Sequence, residues 1–450
     1  MRPNILFILV DGLRADQCYS ADKESYTPFL DSLINEGVYF NNTFSSADGT
    51  IISLNCLLNS KFQFETNIRA QKIILLEDNH LQKLKNSGYY ISGLIPKLTS
   101  FKHIADYFQN ENHTYEPGPP PETLTTGITE KISCILNSLN NISPWFCYLH
   151  LFDLHPLREG HKPLKIEEFQ SEKFGDSLYA QTVSAIDYWL KKILDRINFD
   201  NTLLIVTSDH GERIPFNEKS SFDFEPEFNS ATSLGRRILP KSTHNIGGKI
   251  MCKLKREIGK TKLDSSNKEL TPYQKRSRDP YFTLSLHDEL LHIPFLLKGL
   301  TLPSKIISNQ ISTLDFFPTI FELVGIMQNN TKYSSSLVSL INNQPMAEKA
   351  IFLHTIPYEK ESPLDRIGMR TSKYKYFRNS KNPKKDVHLY DLENDPYENN
   401  NISKNNLPII EKMEKLLYDI QNNTLELDNT LSKEEEEKIS KELRKLGYIK

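Results

Sequence analysis

The sequence predicts an α/β fold, a sandwich arranged around a large, mostly parallel mixed sheet. Short runs of apolar, β-branched and aromatic residues recur along the chain: "ILFILV" (5–10), "YYISGLI" (89–95), "WFCYLHLF" (145–152), "TLLIVTS" (202–208) and "IPFLLKG" (293–299). Such runs suit strands that are covered on both faces, as in parallel sheets. Segments with a helical period lie between them, at 27–37 and 177–197. Strands that alternate with helices predict a doubly wound α/β domain.

Signals for helix ends support this pattern. Thr27 is the predicted N-cap of the first helix, with Pro28 at its first position and Gly37 after its end. The final stretch, "LSKEEEEKISKELRKLGYIK", predicts a charged surface helix that is capped by Ser432.

The composition is that of a soluble globular protein. Of 450 residues, 38% are hydrophobic and 25% are charged, which excludes disordered and fibrous classes, and the net charge of -2 indicates no particular partner. The apolar run near the start is too short for a signal-peptide core, and no later stretch approaches the roughly 18 apolar residues of a membrane helix. We expect no transmembrane segment and no nucleic acid partner. The five scattered cysteines argue against a disulfide framework or a structural zinc, and predict a cytoplasmic protein.

The length favours one large domain with a smaller one appended. We predict a large α/β domain over 1–330, interrupted by an insertion at about 213–285, and a C-terminal α+β subdomain with a tail helix over 331–450. From Arg236 to Arg278 the insertion carries thirteen Lys or Arg residues against three Asp or Glu residues. It is either a solvated segment or a basic lid over an anionic substrate.

Two carboxylates terminate apolar strands: Asp11 follows "ILFILV", and Asp209 follows "LLIVTS". A charge at the tip of a buried strand should be paired or bound to a cation, although an aspartate there can also be a simple helix cap. His210 adds an imidazole, which gives a donor set suited to Ca, Mg, Mn or Zn. The sequence therefore predicts one divalent metal ion held by Asp11, Asp209 and His210.

Thr50 lies at the start of the helical stretch "IISLNCLLNS", where first-turn N–H groups and the helix dipole would stabilise an anion. A metal ion lowers the pKa of a bound hydroxyl and neutralises charge on a tetrahedral phosphate or sulfate. We therefore predict that Thr50 is both the nucleophile and a metal ligand.

Several blocks resemble successive parts of the sulfatase family within the alkaline phosphatase superfamily: "NILFILVDGLRAD", "LLIVTSDHGE", "SLHDELLHIPFLLKG", "STLDFFPTIFELVGI", "YKYF" and "HLYDLENDPYENNNIS". They occur in order over nearly the whole chain, with only the basic insertion outside them. The resemblance implies an alkaline-phosphatase-like sandwich whose C-terminal subdomain contains a four-stranded antiparallel sheet. It also implies a hydrolase or transferase that acts on anionic esters, with a glycan or a lipid head group as the alternatives for the substrate.

The chain departs from the family at the nucleophile signature. Sulfatases carry a Cys-x-Pro-Ser-Arg type motif whose Cys or Ser becomes formylglycine, whereas here Thr50, Ile52 and Leu54 stand at the Cys, Pro and Arg positions. Formylglycine cannot be made from threonine. Relatives with threonine at this position include phosphoethanolamine and phosphoglycerol transferases and nucleotide phosphodiesterases, so the resemblance favours phosphate esters over sulfate esters. Cys56 is interpreted as a packing residue.

The remaining candidates also depend on the resemblance. His155 in "LHLFDLHPL" is the expected acid for the leaving group or a substrate contact, with a loop histidine as the alternative. His244 and Lys249 are expected to bind the substrate, while His287 and His292 are expected to pack. Two alternative functions remain, a sulfate-ester hydrolase without formylglycine and an inactive sulfatase-like protein that binds anionic glycans.

Overall fold

The computed structural model describes residues 2–66, 72–118, 120–155, 157, 167–214, 271–277, 285–328, 330–355, 365–422 and 433–445. The chain divides into two compact units, one formed by Met1–Glu212 with Leu284–Lys450 and the other by Arg213–Thr283. In the second unit, the described residues include one helix, Pro272–Ser277. Among the described helices, none has the length and hydropathy needed to cross a bilayer.

The large sheet of the first unit contains nine strands among the described residues. Its strands are β1 (Asn4–Val10), β2 (Val38–Phe44), β3 (Tyr90–Pro96), β4 (Thr114–Tyr115), β5 (Trp145–Leu151), β6 (Thr202–Thr207), β7 (His292–Lys298), β8 (Lys305–Ile307) and β9 (Ile311–Ser312). They follow the order β4-β3-β5-β1-β6-β7-β2-β8, and β9 also pairs with β2. Only β7 runs antiparallel to its neighbours. This mixed, mostly parallel sheet confirms the predicted fold class.

The central strand β1 shows why this sheet forms. All seven of its residues are buried, as expected for a strand covered by helices on both faces. It pairs in parallel with β5 and β6, so that Val10 lies beside Leu151 and Leu9 lies beside Thr207. The carboxyl ends of these three strands therefore meet at one edge, where loops can gather functional side chains.

The described helices of the first unit lie between the strands and, at the C-terminal end, after them. Those that precede the second unit are α1 (Pro28–Glu36), α2 (Thr50–Asn59), α3 (Gln63–Thr66), α4 (His80–Asn86), α5 (Lys102–Ala105), α6 (Thr129–Ser138) and α7 (Leu178–Leu194). The helix of the second unit is α8 (Pro272–Ser277). Those that follow the second unit are α9 (Asp288–Leu291), α10 (Phe316–Leu323), α11 (Val338–Ile341), α12 (Leu407–Gln421) and α13 (Lys433–Lys445). The α13 range confirms a tail helix, and the predicted cap Ser432 lies outside the described residues.

Helix α1 begins after Thr27 as predicted, but the Thr27 side chain makes no capping hydrogen bond. Asp187 of α7 replaces it: its carboxylate accepts from the backbone N–H of Leu30 at 2.6 Å and of Phe29 at 3.1 Å. The cap is thus supplied by another helix, a contact that no local sequence motif reveals.

The C-terminal part forms a second sheet of four antiparallel strands in sequential order: β10 (Ile351–His354), β11 (Arg366–Arg370), β12 (Tyr374–Asn379) and β13 (His388–Asp391). This sheet is the one that the family resemblance implied. Both sheets belong to the same compact unit, so the domain boundary near residue 330 stays a prediction. The segment 213–285 lies largely outside the described residues.

Helix α2 is buried along its whole length between two apolar clusters. Ile51 and Leu54 pack in the cluster of the large sheet. Ile52 and Cys56 pack in the cluster of the C-terminal sheet. Cys56 is a buried free thiol, which agrees with the packing role expected for it. The helix that begins at Thr50 is therefore held from both sides.

We expect Asp187→Ala to destabilise the first unit because two N–H groups of α1 would lose their acceptor. The loss of two such bonds should lower the free energy of unfolding by about 1–3 kcal/mol, as measured by urea denaturation. Asp195→Ala is the matched control, because Asp195 is an exposed aspartate at the C-terminal end of the same helix and its loss should cost less than about 0.5 kcal/mol. Equal losses in both variants would contradict this account of the cap.

The contribution of the Asp187 carboxyl to the free energy of unfolding should change with pH in a defined direction. Burial raises the pKa of Asp187 from 3.8 to about 6. Between these values the folded chain holds a proton that the unfolded chain has released, so the contribution of Asp187 to stability is full below about pH 4 and declines towards pH 6. Between pH 4 and pH 6 the difference in the free energy of unfolding between Asp195→Ala and Asp187→Ala should therefore become smaller as the pH rises. Parallel profiles would show that Asp187 is ionised throughout.

Candidate metal and nucleophile site

Two aspartates meet at the carboxyl edge of the large sheet. Asp11 directly follows β1, and Asp209 is the second residue after the end of β6; both are essentially inaccessible to solvent. Oδ1 of Asp209 accepts from the backbone N–H of His210 at 3.0 Å and of Gly12 at 3.2 Å. Burial and the neighbouring Asp11 raise the pKa of Asp209. The two strand ends thus hold two carboxyl groups next to each other inside the protein.

His210 completes this group. Its Nδ1 lies 2.6 Å from the carbonyl oxygen of Gly211, which can only accept, so Nδ1 carries the hydrogen. Nε2 then faces Asp209 Oδ2 at 3.5 Å and Asp11 Oδ1 at 3.9 Å. Burial lowers the pKa of His210, but the two carboxylates outweigh that effect and raise it overall. In the neutral ring Nε2 offers a lone pair towards the carboxylates, as a metal ligand would.

Thr50 is the first residue of α2, and its hydroxyl reaches the same group. Its Oγ1 lies 3.0 Å from Asp11 Oδ2 and 3.2 Å from His210 Nε2. The side chain is 4% exposed, so solvent competes little for these contacts. Because α2 starts here, its free first-turn N–H groups lie next to the hydroxyl. The four residues predicted to surround the metal are therefore brought together.

His150, which the sequence analysis did not select, supports Asp11 from β5. Its Nε2 lies 3.4 Å from Asp11 Oδ2, and its Nδ1 lies 3.0 Å from the hydroxyl of Tyr148. Burial alone would raise the pKa of Asp11, but the imidazoles of His150 and His155 and the nearby His210 hold it well below its usual range. A histidine within the apolar run "WFCYLHLF" was the signal that could have identified it.

His155 lies close to the same carboxylate. Its Nδ1 is 3.8 Å from Asp11 Oδ1, and its ring stacks on Phe152 with a centroid distance of 4.0 Å. It is 2% exposed, which does not fit the alternative of a surface loop histidine. Two residues earlier, Asp153 accepts from the backbone N–H of Leu124, and burial raises the pKa of Asp153 to about 7.

The other candidate residues lie apart from this group or outside the described residues. His244 and Lys249 fall outside the described residues, so their proposed role as substrate contacts stays a prediction. His292 Nε2 bonds to the carbonyl oxygen of Asn41, and its ring stacks on Phe44, which agrees with a packing role. His287 takes part in a hydrogen-bonded chain that is described below.

The donor chemistry fits a divalent cation. Asp11, Asp209 and His210 each offer one ligand atom, and these atoms lie within 4.8 Å of one another. Asp11 Oδ1 and Asp209 Oδ2 have no hydrogen-bond partner among the described residues, although both are buried. Buried carboxylate oxygens without partners are costly, and oxygen with imidazole donors suits Ca, Mg, Mn or Zn. Among the described residues this is the one group of at least three such donors.

Comparisons with known proteins agree with this architecture. The family model described as "Sulfatase" matches residues 3–326, and the model described as "N-sulphoglucosamine sulphohydrolase, C-terminal" matches residues 281–417. Arylsulfatase K of Mus musculus is 22% identical over 315 residues, which are 65% of this chain and 53% of that protein. An uncharacterized protein of Haemophilus influenzae is 26% identical over 237 residues, 50% of this chain and 34% of that protein. The chain thus spans about half or less of these curated relatives.

Solved structures show the same fold over nearly the full chain. A 2-O GAG sulfatase superposes with a TM-score of 0.62 at 17% identity, covering 93% of this chain and 92% of the other. The phosphonate monoester hydrolase of Agrobacterium radiobacter superposes with a TM-score of 0.59 at 14% identity, covering 94% and 96%. Since the family model spans most of the chain and the large sheet with its strand-end carboxylates lies within that span, the protein belongs to the sulfatase family.

Proposed function

We propose that this protein is a metal-dependent hydrolase or transferase of phosphate esters that uses Thr50 as its nucleophile. The observation that supports this most strongly is the position of Thr50 Oγ1, within 3.2 Å of both Asp11 and His210 at the start of α2. A hydroxyl that served only to cap its helix would have no need of a buried carboxylate and an imidazole.

In the proposed reaction, the residues of the chain would have the following roles. Asp11 Oδ2 accepts the hydroxyl proton of Thr50, whose oxygen forms a bond to phosphorus as the ester oxygen leaves. His155 supplies a proton to that leaving oxygen. The first-turn N–H groups of α2 stabilise the negative charge on the transferred group. Water or an acceptor alcohol then attacks phosphorus and gives a proton to His155, while the Thr50 oxygen leaves and takes back the proton held by Asp11.

Asp11, Asp209 and His210 would hold one divalent ion, with Thr50 beside it. Such an ion supplies Lewis acidity, which lowers the pKa of a neighbouring hydroxyl and neutralises charge on the tetrahedral group.

Sulfate esters are the second candidate substrate. Solved relatives with the same fold include a GAG sulfatase and a protein in complex with D-glucosamine-2-N,6-O-disulfate. The phosphonate monoester hydrolase favours phosphorus chemistry instead. Thr50 supports phosphate esters over sulfate esters, since a sulfated threonine lacks the release route that formylglycine hydrate provides. An anionic glycan or lipid head group stays our expectation for the natural substrate, and an inactive glycan-binding protein is the remaining alternative.

Asp11→Asn should weaken metal binding, because one of the two buried carboxylates would lose its charge. In wild type, adding Mn, Mg, Ca or Zn to metal-stripped protein should raise the melting temperature, since an ion at 100 times its Kd adds about 2.7 kcal/mol of stability. This shift should disappear in Asp11→Asn and persist in Asp106→Asn, which changes an exposed aspartate. Wild type that responds to none of these ions would contradict the proposed site.

Thr50→Ala should reduce ester turnover by roughly 10³-fold or more while leaving the fold intact. Thr50→Ser should keep part of the activity, because the oxygen remains and only the methyl that restricts its rotamer is lost. The assay compares p-nitrophenyl phosphate, bis-p-nitrophenyl phosphate and p-nitrophenyl sulfate, and intact-mass analysis looks for an adduct on the peptide that contains Thr50.

Thr182→Ala is the control for Thr50→Ala. Thr182 is another buried helical threonine, whose hydroxyl bonds to the carbonyl oxygen of Leu178. Full activity of Thr50→Ala would refute covalent catalysis. An inactive wild type that also binds no metal would favour the glycan-binding alternative.

A further inference from the structure

A chain of hydrogen bonds connects the C-terminal sheet to the loop before α2. The hydroxyl of Tyr390 on β13 lies 3.1 Å from His287 Nε2. His287 Nδ1 lies 2.5 Å from Ser285 Oγ, and the backbone N–H of Ser285 donates to Asp48 Oδ2 at 3.1 Å. Asp48 stands two residues before Thr50. We call Tyr390, His287, Ser285 and Asp48 the Tyr390–Asp48 chain.

All members of the Tyr390–Asp48 chain are buried. Ser285 is fully inaccessible, His287 and Tyr390 are each 4% exposed, and Asp48 is 7% exposed. The ring of His287 packs edge-on against Phe377 with a centroid distance of 5.1 Å. Buried polar groups gain little net stability over apolar ones of similar shape, so stability alone is a weak reason for this chain.

The loop at residues 45–49 receives contacts from both neighbouring segments. The Ser45 N–H donates to the carbonyl oxygen of Leu291, and the His354 N–H on β10 donates to that of Ser46. These backbone bonds fix the first half of the loop. In the second half, the Ala47 carbonyl oxygen accepts from Ser53 Oγ and Ser45 Oγ, and the Asp48 side chain accepts from Ser285 directly before Gly49, the N-cap residue of α2. The bond between Ser285 and Asp48 therefore holds the chain two residues before Thr50, at the start of α2.

We propose that Tyr390, His287 and Ser285 are positioning residues, which act through Asp48 to hold Thr50 Oγ1 in contact with Asp11 and His210. The inference rests on the proposed role of Thr50 as nucleophile. Displacement of a reacting atom by about 1 Å can cost roughly 100-fold in rate, so loss of one distant hydroxyl can affect turnover without unfolding the protein. The C-terminal sheet thereby becomes part of the reaction site although none of its residues touches the reacting group.

The test is Tyr390→Phe, which keeps the ring and removes the hydroxyl that bonds to His287 and to His388 Nδ1. We expect kcat to fall by about 10–100-fold with KM changed less than about 3-fold, because ground-state binding does not need the exact position of Thr50. Tyr376→Phe is the matched control. Tyr376 is a fully buried tyrosine of the adjacent strand whose hydroxyl bonds to Glu414, away from this chain.

Two substitutions of Asp48 test whether its hydrogen bond to Ser285, and not only the packing of its side chain, is required. Asp48→Asn keeps an oxygen that can accept from the Ser285 N–H, whereas Asp48→Ala removes it. We expect Asp48→Asn to retain most of kcat and Asp48→Ala to lose about as much as Tyr390→Phe. Equal losses in Asp48→Asn and Asp48→Ala would show that the charge of Asp48, and not its bond to Ser285, is required, and would overturn the proposal.

A second measurement does not depend on activity. Hydrogen–deuterium exchange of peptides covering 45–58 reports the bond from the Ser53 N–H to the Gly49 carbonyl oxygen, in the first turn of α2. Exchange there should be faster in Tyr390→Phe than in Tyr376→Phe. If wild type turns over none of the substrates but this difference in exchange is seen, the coupling stands and only the proposed function fails. If the two variants match wild type in exchange, or match each other in kcat, the positioning role is wrong.

Discussion

Two carboxylates buried side by side at the ends of adjacent parallel strands are the constraint on which the rest of this site depends. Asp11 and Asp209 follow β1 and β6, and each is at most 1% exposed. Two negative charges in such a place repel each other and lose their hydration, so they need positive charge or hydrogen-bond donors nearby. His150, His155 and His210 cluster around Asp11 for this reason. The two carboxylate oxygens without partners among the described residues remain available for a cation.

The same constraint shapes the backbone around the site. After Asp11 the chain turns at Gly12, whose φ of +73° suits glycine and whose N–H donates to Asp209 Oδ1. A Cβ there would lie 3.1 Å from Glu212 Cβ, so the turn passes close to the loop after β6. On the other side, α2 is fixed between two apolar clusters through Ile51, Leu54 and Ile52. Ile52 and Leu54, which the resemblance to the family places at its Pro and Arg positions, therefore pack on the two sides of the helix that begins at Thr50.

The sequence alone predicted the fold class because buried parallel strands carry a strong apolar signal, and strand ends identified Asp11 and Asp209. It also indicated Thr50 and His210 through their neighbours in sequence. His150 was missed because a histidine within an apolar strand is usually a core residue. The Asp187 cap of α1 was missed because the N–H groups that it accepts from lie about 158 residues away in the sequence. The same limit applies to the Tyr390–Asp48 chain, whose members come from three separate segments. Contacts that depend on tertiary packing leave no local pattern.

We propose above all that Asp11, Asp209 and His210 bind a divalent ion beside Thr50. Anomalous diffraction from crystals soaked in Mn²⁺, collected above and below the manganese absorption edge, measures this directly. We expect one strong anomalous peak within about 2.5 Å of a carboxylate oxygen of Asp11 and of Asp209, at typical oxygen-ligand distances. Full soaking with no peak at this position, or with peaks only at surface carboxylates, would contradict it.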